Sequence, residues 1–490
     1  MQLDFWAEPS HLNSPVDIMV SPEQKAWLQK HADFFGLEHQ VMIADVQEFS
    51  RVLLIGVLGL VLVSGEKKRY DGHQVLRFVP KTQDHLEVLR SIQSRSDQRT
   101  QKLDFWAEPS HLNSPVDIMV SPEQKAWLQK HADFFGLEHQ VMIADVQELA
   151  DSIKVGAPGT KLTWDAYYDS HEIYAWVDEI TAQFPEIITT QSIGKSTKGR
   201  ELMLMRINKP SDQQKISVFL NSTGIIAGLI IFQQDESCFF RDSMKDIHAR
   251  EWITSATTTW IFNELLTNEA YAAELDKFDF HYVPVLNPDG LAYTHNGDRL
   301  WRKTLSEHNS FWRCFGVDAN RNFDKSFGGP GASHDECSEL YHGPSAFSEP
   351  ETQAVRDYIL ANKDDIKIYL DVHSYSQLIL LPYGDTSEKP DDYADLLEKG
   401  LIMEDALRER YETDYVTGSV PELTYYASGG SFDWVKGKAG VKYAMGIELR
   451  DLGHYGFLLP ANQIIPSGKE TLDGFLAIFN AIRDEILAGH

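Results

Sequence analysis

The spacing of apolar and polar residues predicts a small α+β region between Glu66 and about Ile153. Alternating patterns predict strands at 74–79, 104–106, 116–120 and 139–143. Amphipathic patterns predict helices at 82–94 and 121–135, the second with Ser121 as its N-cap. This order of strands and helices favours a small open sandwich.

From Thr163 onward the apolar runs are longer and predict buried strands. They lie at 216–220, 278–286, 366–372 and 442–449. Helical patterns separate them at 255–266 and 351–361, and Ser348 with Glu351 predicts a capping box for the latter helix. The alternation favours an α/β domain, a mostly parallel sheet with helices on both faces.

Residues 3–48 recur without a change at 103–148. Structural repeats diverge while keeping a core pattern, and solenoids need several copies. Two identical copies are more typical of a recent exon duplication or an assembly error. We therefore treat residues 1–49 as a suspect duplicate of part of the α+β region.

Residues 50–65 have the order of a secretory signal peptide. Arg51 precedes an apolar run at 53–63, and the small residues Ser64 and Gly65 follow. The run is too short to span a bilayer, which takes about 20 apolar residues. A buried strand or helix is the alternative. A signal starting fifty residues in would be misplaced, so we hypothesise that the natural protein starts near residue 50.

Composition limits the classes of function. The chain has 490 residues and 42% hydrophobic content, enough for two or more domains. Its formal charge of −28 argues against nucleic acid and anionic membranes as partners. The cysteines are Cys238, Cys314 and Cys337. One bridge in an extracellular protein and three free thiols inside a cell are both compatible with that count.

His248 and Glu251 form the only His-x-x-Glu sequence in the chain. An imidazole and a carboxylate from one turn suit Zn²⁺, which in catalytic sites takes three protein ligands and keeps an open position. Taken alone, the pair is more often a solvated ion pair on a surface turn. His373 follows the strand predicted at 366–372, where ligands bind in open α/β sheets, although a histidine there is usually a core residue.

Several ordered motifs share a resemblance that covers roughly the last 425 residues. They are 72–77, 103–106, 248–252, 287–290, 299–302, 316–322, 373–377, 427–434 and 448–451. Together they resemble the secreted zinc carboxypeptidases of the carboxypeptidase A/B type, in their zymogen form. The resemblance implies an activation pro-domain at 66–155 and a catalytic domain at 156–490. The implied catalytic fold is a twisted, mostly parallel eight-stranded sheet.

The resemblance also implies the chemistry of the site. One zinc ion per chain would be held by His248, Glu251 and His373, the family's His₂Glu set. Asp318 would bind the other ring nitrogen of a zinc histidine. Glu448 would be the general base, and Arg302 would face the oxyanion of the tetrahedral intermediate.

Further residues would bind substrate, by the same resemblance. Asn320 and Arg321 would hold the free C-terminal carboxylate, and Tyr425 would close over the bound residue. Arg250, Ser374 and Tyr375 would line neighbouring subsites. Phe432 would lie at the bottom of the side-chain pocket, where an acidic residue selects Lys or Arg. Its apolar ring predicts aliphatic or aromatic C-terminal residues, with smaller ones favoured because the ring takes up volume.

Two features of the motif region concern whether this chain can fold and act as the resemblance implies. Cys314 and Cys337 match the family's single disulfide, which would leave Cys238 unpaired. The chain departs from the family at 225–246, an insert before the zinc motif that contains Cys238 and an apolar run. An exposed apolar insert beside the site would favour aggregation. It would put activity in doubt more than fold.

The resulting prediction is a secreted, monomeric carboxypeptidase zymogen, with a digestive lumen as one compatible location. Its expected partners are peptides or proteins with a free C-terminus and a protease that cuts the link near Lys154 and Lys161. Nucleic acid and membrane partners are not expected. The alternative is a catalytically impaired peptide-binding homologue, disrupted by the insert. Zinc content and chelator-sensitive hydrolysis would separate the two.

Overall fold

A computed structural model describes residues 4–7, 17–19, 67–97, 103–222, 248–307 and 314–489. The chain divides into two units, 1–66 and 67–490, which are treated separately below. Two predictions, the signal-like segment at 50–65 and the insert at 225–246, lie outside the described residues.

In the first unit, the described residues form one antiparallel hairpin. Strand β1 spans Asp4–Ala7 and β2 spans Asp17–Met19, with Asp4 opposite Met19 and Phe5 opposite Ile18. In the second unit, the identical sequence pairs in the same way, Asp104 opposite Met119 and Phe105 opposite Ile118. Equal local sequence thus gives equal register, as expected where side-chain alternation sets pairing.

The second unit begins with a small sheet, which we call the small-sheet region (residues 67–152). Its strands are β3 (Gln74–Phe78), β4 (Asp104–Ala107), β5 (Val116–Val120) and β6 (His139–Ile143). They pair in the antiparallel order β4-β5-β3-β6. Helices α1 (Gln83–Asp97), α2 (Pro122–Phe134) and α3 (Val146–Ser152) accompany them. Ser121 caps α2 as predicted, and Gln124 completes a capping box.

The rest of the unit, the large-sheet region (residues 163–489), is built on an eight-stranded sheet. Its strands are β7 (Ile188–Lys195), β8 (Glu201–Ile207), β9 (Ile216–Ser222), β10 (Phe278–Val283), β11 (Ile366–Ser374), β12 (Leu378–Leu381), β13 (Val416–Ser419) and β14 (Tyr443–Leu449). The order is β13-β12-β14-β11-β9-β10-β8-β7, and the central strands β14, β11, β9 and β10 are parallel.

Helices and short turns flank this sheet. The helices are α4 (Ser170–Gln183), α5 (Trp252–Thr267), α6 (Pro288–Asn296), α7 (Pro350–Asn362), α8 (Tyr393–Tyr411), α9 (Val420–Leu423), α10 (Ser431–Trp434) and α11 (Ile464–Ala488). Single 3₁₀ or π turns lie at Glu269–Tyr271, Glu274–Asp276, Ala319–Arg321, Val435–Ala439, Gly456–Leu458 and Ala461–Gln463. The α/β fold and the parallel centre of the sheet are confirmed.

The central strands are buried on both faces because layers cover both sides. Every residue of β10 and β14 is buried, as are eight of the nine residues of β11, all but Lys367. Continuous apolar runs of this kind are typical of parallel strands beneath helices.

Two local predictions are wrong in detail. The capping box of Ser348 and Glu351 does not form, because Pro350 occupies the first turn and the N-cap is Glu349. Ser348 Oγ instead donates to Glu349 Oε1 at 2.9 Å. Strand β10 ends at Val283 rather than at residue 286, since Pro288 starts α6 shortly afterwards. Within the described residues, no helix combines the length and apolarity needed to cross a membrane.

Candidate metal centre

Two separate stretches bring three metal-binding side chains together. His248 and Glu251 lie in one turn before α5, closed by the Glu251 N–H donating to His248 O at 3.0 Å. His373 is the penultimate residue of β11, 122 positions further along the chain than Glu251. The turn and the strand end meet at the carboxyl edge of the sheet, where open α/β folds place their ligands.

The geometry of these three residues fits a zinc ion. One donor atom from each of His248, Glu251 and His373 lies within 4.8 Å of the others, and all three side chains are buried. His248 Nδ1 and Glu251 Oε1 are 3.0 Å apart. Burial, with Arg302 nearby, lowers the pKa of His248 well below its usual range, so its imidazole is neutral and able to bind a metal. Two imidazoles and one carboxylate are a donor set that Zn²⁺ favours.

Each histidine binds a carboxylate through its other ring nitrogen. His248 Nε2 lies 3.3 Å from Asp318 Oδ1, the contact expected for Asp318. His373 Nε2 lies 3.0 Å from Asp371 Oδ2, and Asp371 was not predicted. The sequence did contain a signal for this contact. Side chains two positions apart on a strand lie on the same face, and Asp371 precedes His373 by two positions. Such carboxylates fix ring orientation and tautomer.

Asp318 also anchors Arg302. Arg302 Nη2 donates to Asp318 Oδ2 at 2.7 Å, and its Nε donates to the same oxygen at 3.3 Å. Burial alone would raise the pKa of Asp318, but Arg302, Arg321 and His248 hold it well below its usual range. In the part of the chain that the structure describes, Arg302 Nη1 has no hydrogen-bond partner although it is buried. That N–H is therefore available to a ligand.

Glu448 is placed beside the metal ligands by strand pairing. In the parallel pair β11–β14, His373 lies opposite Glu448. Burial raises the pKa of Glu448 well above its usual range, and the nearby Glu251 raises it further. Glu448 Oε2 is buried and accepts no hydrogen bond from the described residues. A carboxylate in this position can accept a proton from a water molecule at the metal site.

Asn320 and Arg321 follow Asp318 in a 3₁₀ turn and are buried. Asn320 Oδ1 accepts from the Ser431 N–H at 2.6 Å, and Arg321 Nε donates to Gly331 O at 2.6 Å. Arg321 Nη2 has no partner among the described residues. The two side chains are therefore held by their surroundings, and one guanidinium N–H remains free for an anion.

Phe432 and Tyr425 belong to one apolar cluster with Ala427 and Leu380. A Cβ on Gly446 would lie 3.0 Å from a ring carbon of Phe432. The ring thus packs against the backbone of β14, in space that only a glycine leaves open. Burial raises the pKa of the Tyr425 hydroxyl.

Ser374 and the cysteine pair also belong to the predicted set. The Ser374 N–H donates to Glu251 Oε2 at 2.7 Å, so the strand end holds the carboxylate that faces His248. Cys314 and Cys337 form a disulfide, as the resemblance implied.

The small-sheet region covers the remaining two predicted residues. Tyr375 Oη donates to Asp117 Oδ2 at 3.0 Å, and Arg250 Nη1 lies 3.5 Å from Asp104 Oδ1. The ring of Trp106 packs on that of Phe457, with 5.1 Å between centroids. The sequence alone did not predict these contacts, since no local pattern links residues from the two regions.

Comparisons with known proteins agree with this geometry. Residues 173–474 match the zinc carboxypeptidase family, and residues 1–50 and 76–152 match the carboxypeptidase activation peptide. Carboxypeptidase B of Astacus astacus is 43% identical over 324 residues, covering 66% of this chain and 99% of the relative. Carboxypeptidase A2 of Mus musculus is 33% identical over 443 residues, 88% of this chain and 98% of the relative.

Solved structures show the same similarity. The crystal structure of carboxypeptidase A from Helicoverpa armigera superposes with a TM-score of 0.72 at 27% identity, covering 85% of this chain and 98% of that one. The structure of thrombin activatable fibrinolysis inhibitor gives 0.72 at 29% identity, covering 84% and 99%.

Proposed function

This chain belongs to the zinc carboxypeptidase family and carries that family's activation peptide, and from this premise we propose a secreted zymogen whose mature form releases C-terminal aliphatic or aromatic residues. One observation carries the proposal. His248, Glu251 and His373 converge within 4.8 Å, and strand register puts Glu448 directly beside His373. In this proposal, residues 66–155 are the pro-domain and residues 156–490 the catalytic domain.

A zinc ion held by His248, Glu251 and His373 would supply a polarised water and a Lewis acid for the peptide carbonyl. Glu448 Oε2, buried and without a protein donor among the described residues, accepts the proton of the attacking water. The same carboxyl group can then pass that proton to the leaving amine. General acid–base help of this kind contributes roughly 10²–10⁴-fold in rate.

Arg302 stabilises the oxyanion that develops on the scissile carbonyl. Asp318 holds its guanidinium through Nη2, so Nη1 is fixed in place before substrate arrives. A donor that needs no reorganisation contributes about 2.7–4 kcal/mol to transition-state stabilisation.

Arg321 and Asn320 give the reaction its exopeptidase character. The free Nη2 of Arg321 binds the C-terminal carboxylate of the substrate, because a planar guanidinium matches that anion. Tyr425 closes over the bound residue, and Arg250, Ser374 and Tyr375 contact the residues before it.

Phe432 makes the pocket floor apolar. Its ring lies against Gly446 and in one cluster with Tyr425 and Ala427. A charged C-terminal side chain would be buried there without a partner, at a cost that an aliphatic or aromatic side chain does not incur. The proposed substrates are therefore peptides ending in Leu, Val, Phe or similar residues.

Secretion is proposed from two features. The Cys314–Cys337 disulfide is typical of oxidising compartments, and residues 50–65 have the order of a signal peptide. The protein is proposed to act as a monomer.

The test uses full-length, zinc-loaded protein, cleaved in the link and assayed on matched peptides ending in Phe, Leu or Lys. We expect Phe and Leu to be released faster than Lys, and a chelator to abolish both activities. Phe432→Asp serves as the matched variant and should shift preference toward Lys, since it gives that cation a partner. Faster release of Lys by the wild type would overturn the pocket assignment. A cleaved protein that binds zinc at one per chain yet hydrolyses nothing would favour the impaired homologue.

A further inference from the structure

The loop at 451–457 of the catalytic domain contacts the pro-domain at two glycines. Gly453 has φ +93° and Gly456 has φ +55°. A Cβ on Gly453 would lie 2.1 Å from Arg77 Nη2 and 2.9 Å from Asp117 Oδ2. A Cβ on Gly456 would lie 3.0 Å from the Trp106 ring. Side chains of the pro-domain thus fill the space that the Cβ of any residue other than glycine would need at these two positions.

The shape of this loop is set within the catalytic domain. Asp451 Oδ1 accepts from the Gly453 N–H at 2.9 Å and from the Gly456 N–H at 3.0 Å. Asp451 Oδ2 accepts from the Tyr455 N–H at 2.8 Å. Three backbone donors on one carboxylate fix the loop, so the niche at Gly453 does not depend on the pro-domain for its form.

The group that enters the niche is a buried ion pair. Arg77 Nε and Nη2 donate to the two oxygens of Asp117 at 2.6 and 2.5 Å, and the Asp117 side chain is fully buried. Asp117 Oδ2 also accepts from Tyr375 Oη at 3.0 Å. If the guanidinium moved away from an added Cβ, the buried charge of Asp117 would keep only the Tyr375 hydroxyl as a partner, and losing the ion pair is strongly unfavourable.

We propose that Gly453, by leaving room for the Arg77–Asp117 pair against the 451–457 loop, determines how firmly that pair holds Tyr375 in the latent enzyme. The proposal rests on the proposed function, in which Tyr375 contacts substrate. The group that contacts this loop is an arginine–carboxylate pair beside an indole ring. Gly453 acts as a positioning residue and takes no part in hydrolysis.

Gly453→Ala in the full-length chain tests this, with Gly440→Ala as the matched control. Gly440 has φ +85°, so alanine is strained there to a similar degree, but a Cβ on it meets nothing within 4 Å. We expect uncleaved Gly453→Ala to hydrolyse a Phe-terminated peptide about tenfold faster or more than uncleaved wild type. Uncleaved Gly440→Ala should remain as latent as wild type. After cleavage and removal of the pro-domain, all three should have equal kcat/KM.

Arg77→Ala separates a specific contact from general damage. If Gly453 acts through Arg77, adding Gly453→Ala to Arg77→Ala should raise activity by much less than it does in the wild-type chain. Additive effects, or an uncleaved Gly453→Ala as latent as the control, would overturn the proposal. Lower activity of Gly453→Ala after cleavage would overturn it too.

A measurement independent of hydrolysis keeps this proposal distinct from the proposed function. After cleavage in the link, the pro-domain of Gly453→Ala should separate from the catalytic domain on size exclusion at protein concentrations where wild type and Gly440→Ala stay associated. Co-elution of all three would refute the role of Gly453. If the cleaved wild type hydrolyses no peptide, the enzymatic function fails, while the elution profiles still decide the role of Gly453.

Discussion

The buried side chains of this site are held in place by ion pairs and hydrogen bonds to one another. Asp318 binds both His248 and Arg302, at 3.3 and 2.7 Å, so one carboxylate positions a candidate metal ligand and the proposed oxyanion donor. Asp371 likewise lies 3.0 Å from His373 Nε2 and also accepts a hydrogen bond from the Ser431 hydroxyl. Removing either aspartate would leave a buried donor without a partner, which costs more than the bond contributes.

Replacing Glu448 with glutamine tests the proposed general base. Glu448→Gln keeps the shape of the side chain but removes the proton acceptor, so kcat/KM of the cleaved enzyme should fall about 10²–10⁴-fold. Zinc content should stay at one per chain, because Glu448 lies beside the ligand set and is not part of it. Retained activity would show that another group accepts the proton. Loss of zinc would instead place Glu448 among the ligands.

At the scale of elements, the ends of parallel strands decide which residues meet. Strands β11 and β14 run side by side with His373 opposite Glu448, and the turn before α5 brings Glu251 to the same edge. A shift of one residue in this pairing would turn Glu448 to the other face of the sheet. The site therefore depends on the register of β14 as much as on the identity of its residues.

The start of helix α7 carries an unusual buried carboxyl group. Glu351 Oε1 accepts from the Thr197 N–H at 3.1 Å. Burial raises the pKa of Glu351 to about 8, and the carboxylates of Glu349 and Asp289 add to the shift. The folded protein thus binds this proton more tightly than the unfolded chain does. The resulting stabilisation is complete below the ordinary pKa of 4.5 and is lost as pH rises through about 8.

Glu351→Gln should remove that pH dependence. Between pH 5 and pH 8 the wild type should lose about 3 kcal/mol of stability through this group, whereas the variant should lose none of it. Thermal unfolding of the uncleaved protein at both pH values measures the difference. Glu409→Gln, an exposed change on helix α8, is the control and should keep the slope of the wild type. A Glu351→Gln slope equal to that of the control would contradict the assignment.

At the scale of the whole molecule, the small-sheet region lies against two of the proposed substrate-binding residues. Tyr375 and Arg250 contact Asp117 and Asp104, so under the proposed function substrate binds only after the link is cut. Two lysines are candidates for that cut. Lys154 is followed by the exposed Val155, whereas Lys161 is followed by Leu162, which is 5% exposed and part of the core. On the preceding side the exposure is reversed, since Ile153 is buried and Thr160 is exposed, so the preference for Lys154 rests on the residue that follows the cut.

Lys154→Gln should therefore keep the zymogen latent when a protease that cuts after lysine is added, and Lys161→Gln should not. Both lysine side chains are well exposed, 61% and 69%, and each makes one ion pair, so the two variants are matched in surface chemistry. Activity against a Phe-terminated peptide over the course of digestion, with the new N-terminus identified by mass, gives the answer. Normal activation of Lys154→Gln would assign the cut to another bond.

The amino-acid sequence by itself determined the local structure and the kind of chemistry. Strand β5, helix α2 and its Ser121 cap follow from alternation and capping within a few residues, and the same hairpin register forms in both copies of the repeat. The pairing of Cys314 with Cys337 and the zinc ligands were implied by the family resemblance, because ordered motifs preserve spacing.

Only the tertiary structure decided which distant residues meet. The carboxylate of Asp371 on His373, the packing of Phe432 on Gly446, and the contact of Asp117 with Tyr375 join residues that no local pattern connects. The same holds for Glu349, which accepts from Thr304, 45 positions away. Periodicity and capping report forces that act within a few residues, whereas burial and pairing across the sheet depend on where the whole chain has folded.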